Sequence, residues 1–197
     1  RQTSFRRWGV DGAALYAGVL MVTRKHISPA ARSSAPSVRG ISEIDTPVGV
    51  SALNEITRNR MDAIWLDNQG AFRVLNGRTT SSDPAWYWVC YRRMTDKIRT
   101  DVFAAYTANK SEPQNPNLDA TFQDQTDAYL DGLLRNGEIN GYDPTVSDDT
   151  NNPDAVRNAG QRFVDMFVEY VPPNDQTTVN INRVQRGTIR VQLAAGA

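Results

Sequence analysis

The sequence predicts an α+β fold, with helices packed on a mainly antiparallel sheet. Two observations carry the fold class. Mid-chain segments repeat apolar residues at helical spacing, whereas segments near the C-terminus alternate them with period two. Helices followed by a run of strands, without regular strand–helix–strand alternation, indicate α+β rather than a parallel α/β sheet.

Taken in order, Asp11 is placed to cap a helix through Leu20 or Val22, with Ala14, Leu15, Gly18, Val19 and Val22 at helical spacing. Its small residues, Ala13, Ala17 and Gly18, predict close approach to a neighbouring element. Residues 28–40 turn to Ser, Pro, Ala and Arg and read as an irregular excursion. Residues 47–57 carry no decisive pattern. Two apolar runs, 63–66 and 71–75, flank Asp67-Asn68-Gln69-Gly70, a turn between extended segments. Trp86 to Tyr91 reads as a short strand passing directly into a helix on which Met94, Ile98, Val102 and Tyr106 recur every four residues. Asn115 and Pro116 open a second helix with Leu118, Phe122, Tyr129 and Leu133 as its stripe, stopped by Asn136-Gly137. A polar loop is expected over 143–154. Val164, Met166, Val168 and Tyr170 then share one face of a strand ended by Pro172-Pro173. Val179 and Ile181 alternate in the next strand, and Ile189, Val191 and Leu193 in the last.

Composition excludes more than it indicates. The 197 residues hold 22 Lys+Arg against 22 Asp+Glu, one His and one Cys. Zero net charge argues against a protein that coats nucleic acid, which needs a cationic excess. One Cys excludes an internal disulfide framework and a multi-Cys zinc site, and one His excludes a two-histidine metal site. No apolar run reaches the length that spans a bilayer. The basic, aromatic opening Arg1 to Trp8, without an initiator Met, suggests the C-terminal portion of a longer polypeptide.

The chemistry-bearing residues point away from catalysis. His26 follows Arg24-Lys25 at a helix end, where cations complement the helix dipole. Cys90 sits among aromatics and reads as core. The acidic run from Asp143 to Asp154 has neither the ligand order nor the closing Glu of an EF-hand loop and reads as a solvated surface loop. Asn109-Lys110-Ser111 matches a glycosylation sequon by chance. Arg92, Arg93, Lys97 and Arg99 lie near the tryptophans, but Asp96 and Asp101 stand four residues after Arg92 and Lys97, the spacing of helix ion pairs, which favours a solvated or protein-contact face over a nucleic-acid one.

The order of these blocks resembles the C-terminal domain of contractile tail sheath proteins of phage tails, R-type bacteriocins and related injection systems. Gly12-Ala13-Ala14-Leu15-Tyr16-Ala17-Gly18-Val19 is similar to the small-residue helix that opens that domain. Phe72-Arg73-Val74-Leu75-Asn76-Gly77-Arg78-Thr79 resembles its strand and Gly-Arg-Thr turn. Trp88 to Arg93 and the helix to Tyr106 resemble its strand-into-helix step with an Arg pair. Leu130, Leu133-Leu134 and Asn136-Gly137 resemble its long glycine-stopped helix.

The resemblance implies a non-enzymatic structural subunit without cofactor, polymerising as stacked six-fold rings around an inner tail tube and contracting to drive that tube through a target envelope. It implies a helical homo-oligomer, with tube, baseplate and tail terminator proteins as partners and neither nucleic acid nor membrane insertion. The implied place is a virion tail, assembled in the host bacterial cytoplasm. A core domain over 1–185 and a strand arm over 186–197 follow. The arm is Thr188, Ile189, Arg190, Val191, Gln192 and Leu193. The strands of Val164, Met166, Val168, Val179 and Ile181 are candidate acceptors. Arg92, Arg93, Lys97 and Arg99 are candidate tube- or neighbour-facing charges, and either the Asp11 or the Arg92 helix could face the tube. Composition alone would pair the last strand within its own chain. A capsid or baseplate component, a type VI secretion sheath subunit, and an enzyme built on His26 or the acidic loop are the competing readings.

Overall fold

A computed structural model describes residues 11–41, 43–44, 49–107, 116–174, 178–183 and 189–194. The elements run α1 (Gly12–Val22), α2 (Val50–Arg58), β1 (Ile64–Leu66), β2 (Phe72–Val74), α3 (Val89–Thr107), α4 (Pro116–Arg135), β3 (Ile139–Val146), α5 (Asp154–Asn158), β4 (Asp165–Tyr170), β5 (Thr178–Arg183) and β6 (Ile189–Ala194). The α+β class stands. Rather than one sheet, however, the strands form three antiparallel two-stranded ribbons, β1–β2, β3–β4 and β5–β6.

Two cores organise the chain. In the first, α1 and the β1–β2 hairpin enclose Val19, Val38 and Val74, with Leu15, Tyr16, Ile64 and Phe72 around them. The hairpin is closed by Asp67, whose carboxylate accepts the Gln69 and Ala71 amides and the Arg73 guanidinium, all within 2.9 Å, while Gly70 takes a positive φ. These bonds to the ionised carboxylate hold its pKa below the usual range. Asp62 fixes the hairpin's far end by accepting the Ala63, Asn76 and Gly77 amides at 2.7–3.0 Å. Gly77 has φ 68°, and a Cβ there would lie 2.5 Å from the Ser28 hydroxyl and 2.9 Å from Pro29. Only glycine fits.

The second core is larger. Met94, Ile98 and Val102 of α3 meet Leu130 and Leu133 of α4 and Ile139 of β3, with Met166, Val168 and Tyr170 of β4 closing it from the sheet side. Gly137, at φ 67°, reverses the chain from α4 into β3.

Four expectations are corrected. Trp86 to Tyr91 is not a strand: Pro84–Trp86 is a 3₁₀ turn capped by Asp83, only Trp88 makes a β-bridge (to Arg78), and α3 begins at Val89. Cys90 opens the buried stripe, four residues before Met94. The polar loop begins only after Val146, because β3 runs through Asp143, Pro144 and Thr145. Gly141 and Pro144 hid that strand, and its pairing with β4 is irregular beside both. Residues 50–58, left without a pattern, form α2. Finally, the small face of α1 meets no element among the described residues: nothing lies within 4 Å of a Cβ at Gly12 or Gly18, and Met21 is 86% exposed. The expected Asn115 cap, Arg1 to Trp8 and Asn109 to Ser111 lie outside the described residues.

Gly77→Ala is expected to cost about 2 kcal/mol or more, from the left-handed backbone and the Ser28–Pro29 clash together, in a urea unfolding curve. Asp67→Asn should flatten the acid limb of stability. A carboxyl whose folded pKa is lowered adds stability above its unfolded pKa and loses it as pH falls through the folded value. Thermal melts from pH 6 down to 3 read this out.

Candidate functional site

The four candidate charges of α3 divide into two pairs. Arg93 is turned inward: its guanidinium donates to the carbonyls of Leu20 (2.6 Å), Thr23 (2.7 Å) and Arg24 (3.4 Å), at the C-terminal end of α1. The Leu20 and Thr23 carbonyls lie at the negative end of the helix dipole, where carbonyls lack intrahelical donors, whereas the Arg24 carbonyl also accepts the Ile27 amide at 3.1 Å. Lys97 is also engaged, but with Glu138 at 2.8 Å rather than with Asp101, as the four-residue spacing suggested. Asp101 instead accepts the Tyr129 hydroxyl at 2.6 Å. Arg92 and Arg99 are exposed. Arg92 pairs with Asp96 at 3.2 Å, as its spacing predicts, and lies over the Trp86 ring.

An open groove runs between α3 and β4. One wall carries Trp86, Tyr91, Thr95 and Arg99; the other carries Met166, Phe167, Val168, Glu169 and Tyr170 in unbroken succession. Neighbouring strand residues point to opposite faces, so a groove lined by five consecutive ones runs along the strand's edge rather than over a face. The other edge of β4 is taken by β3, with Tyr142 opposite Val168 and Asp143 opposite Phe167. Among the described residues no strand pairs with the groove-side edge. Tyr170 pins the groove's end, stacking on Tyr91 at 5.4 Å and sharing a 2.7 Å hydrogen bond with Thr95. Of the expected acceptor residues, Met166 and Val168 face the core side of β4 and are half-buried, while Val164 lies one residue before the strand begins; Phe167 on the opposite face is 58% exposed.

The last two strands pair with each other. Val179 stands opposite Leu193, Ile181 opposite Val191, Asn180 opposite Gln192, Asn182 opposite Arg190 and Arg183 opposite Ile189. Thr188 lies outside the described residues. Each strand of this hairpin contacts the other extensively and no further element to a comparable degree among the described residues.

The chemistry-bearing residues are all engaged structurally. His26 Nδ1 lies 3.8 Å from Glu138. Cys90 is buried, which raises its thiol pKa and keeps it unreactive. In the acidic loop Asp148 accepts the Thr150 amide, and Asn152, fully buried, pairs with both the N–H and the carbonyl of Phe163. Asp149 binds Arg157 at 2.6 Å. Arg157 in turn joins Arg162 on the buried Asp119, at 2.7 and 2.8 Å. Sequence spacing missed that cluster because its members lie some forty residues apart. Among the described residues no three His, Cys, Asp or Glu side chains are grouped to hold a metal, and no helix is long and apolar enough to cross a membrane.

No protein-family model and no curated protein sequence matches the chain. Solved structures do. The fold is that of the sheath proteins of contractile injection systems. A chain of the six-fold symmetrised baseplate of the anti-feeding prophage superposes with TM-score 0.76 at 19% identity, over 88% of this chain and 49% of that one. The sheath complex of an extracellular contractile injection system, PVC, in its contracted state gives 0.74 at 20%, over 88% and 50%. The contracted helical sheath of the anti-feeding prophage gives 0.72 at 19%, over 87% and 49%. The chain thus spans about half the length of the proteins it superposes on.

Arg93→Met should cost about 2–3 kcal/mol in chemical denaturation, through the lost charge-assisted bonds and the stranded carbonyls of α1. Arg92→Met should cost within about 0.5 kcal/mol, since its ion pair is exposed.

Proposed function

We propose that this chain is the self-assembling part of a contractile sheath subunit, polymerising as stacked six-fold rings around an inner tube in a phage-like tail and contracting to drive the tube through an envelope. The observation that carries the reading is the superposition on contracted sheath subunits over nearly nine-tenths of the chain. Two features of the chain support it. Among the described residues the β5–β6 hairpin makes its extensive contacts within itself, which suits an arm reaching a neighbour. The groove beside β4 has the shape that strand addition requires: an unpaired edge supplies the main-chain partners, and side chains on both walls read the incoming strand.

In this reading the arm over 186–197, which contains β6, is the donor and β4 is the acceptor. The pairing of Ile189 to Leu193 with β5 uses one edge of that strand and leaves its other edge for the neighbour. Arg92 and Arg99 are the two of the four candidate cations of α3 that face outward, toward tube or neighbour, and the uncharged, smooth face of α1 is covered in the assembly. The inner tube, baseplate and tail terminator are the partners. Superposition on a baseplate chain favours, as the second reading, a baseplate component assembled by the same strand exchange.

Negative-stain microscopy tests this directly. The intact chain, fused to the N-terminal half of its parent protein where one exists, is expected to form rings or tubes of variable length. Deleting residues 186–197 should leave a folded monomer, and a synthetic peptide of those residues should bind that monomer and quench Trp86 fluorescence. Tubes formed without the segment would overturn the strand-exchange reading. Closed oligomers of fixed number would favour the baseplate reading.

A further inference from the structure

The two cores meet along a seam between the C-terminal end of α1 and α3, and the chain's one histidine sits on it. His26 lies just beyond α1, 17% exposed, with Nδ1 3.8 Å from Glu138 Oε2. Lys97 Nζ reaches that same oxygen at 2.8 Å, and Arg24 adds a second cation from the histidine's own segment. The charged groups facing the imidazole are therefore Arg24 beyond α1, Lys97 from α3 and Glu138 from the turn between α4 and β3. One turn earlier on α3, Arg93 holds the Arg24 carbonyl. Lys97 on Glu138 and Arg93 on α1 are thus neighbouring bonds across one seam.

We propose that His26 is an acid-operated catch on this seam: when it takes up a proton, a third cation crowds the single Glu138 carboxylate, and the end of α1 loosens from α3. The neutral imidazole fits the site because it competes with neither Lys97 nor Arg24. Burial is the first force that lowers its proton affinity, and Arg24 and Lys97 add to it against the opposing pull of Glu138. The sign follows. A base whose folded pKa is lowered binds its proton first in the loosened state, so stability is unaffected above the unfolded value near 6.5 and falls as pH drops below it.

Cys90, the chain's one cysteine, makes the seam observable. It is 1% exposed, and its thiol lies in the field of Arg93 and of Tyr16 on α1. Separation of α1 from α3 uncovers it. The experiment compares the chain with its His26→Gln and His26→Leu variants at pH 7.5 and 5.5. Two readouts are taken: the melting temperature, and the labelling rate of Cys90 by 4,4′-dithiodipyridine relative to N-acetylcysteine under the same conditions. The wild-type chain is expected to lose on the order of 2 °C more than either variant between the two pH values. Its relative Cys90 labelling should rise severalfold, while that of the variants stays flat. Parallel melting curves for all three proteins would overturn the proposal, as would wild-type labelling no more pH-dependent than that of the variants. A wild type gaining stability in acid would also overturn it, since attraction to Glu138 would then dominate.

Discussion

The fold depends on one guanidinium placed among carbonyl oxygens. α1 ends without a basic residue in its last turn, so its carbonyls must find donors elsewhere, and Arg93 of α3 supplies them across some seventy residues of chain. The bond does more than satisfy a helix end. It fixes where α3 begins relative to the first core, and the Val89 amide reinforces that position by donating to the carbonyl of Gly77. Once the start of α3 is fixed, its stripe from Cys90 to Val102 fixes α4, and α4 fixes β3. The close approach of Gly77 to Ser28 and Pro29 belongs to the same constraint, since a Cβ there would push apart the segments that Arg93 draws together.

The parts of the fold that local chemistry decides were readable from sequence. Asp11 capping α1, the Asp67–Gly70 turn, the four-residue stripe of α3 and the glycine stop after α4 all follow from residue type and spacing within one turn of chain. The misreadings have physical causes. Trp86 to Tyr91 is rich in β-formers, but a proline and an aspartate cap wind it into a 3₁₀ turn, and tertiary burial of Cys90 outweighs propensity. β3 carries a glycine and a proline that a bulged edge strand tolerates and a regular strand does not. Signals for both were present: Cys90 extends the stripe of α3 back by one turn, and Ile139, Tyr142 and Val146 are apolar positions facing β4.

The candidate site was legible only in part, because charge pairing is a tertiary property. Arg92 found Asp96 at the expected spacing, whereas Lys97 preferred Glu138, forty-one residues away, where both side chains are three-quarters buried. Partial burial strengthens a charge-assisted bond relative to an exposed helix pair, so the distant partner wins. The same competition hid the Asp119–Arg157–Arg162 cluster. No spacing rule marks it, yet it anchors the loop between β3 and β4 and so helps hold β4, one wall of the groove.

The three ribbons differ in what supports them. β1–β2 rests on α1, and β3–β4 rests on α3 and α4, so each buries one face within the chain. β5–β6 has no such backing among the described residues, and a two-stranded ribbon alone in water is at best marginally stable. Its strands place Val179 opposite Leu193 and Ile181 opposite Val191. The groove beside β4 is the complementary feature: an edge with aromatic walls that no strand among the described residues pairs with. In the proposed assembly this ribbon and this edge would be satisfied together as copies associate. Zero net charge removes the long-range repulsion that would oppose this at every contact. Under that proposal, ordering the arm and joining the lattice would be one equilibrium, with the stability of the hairpin setting the strength of the link between neighbours.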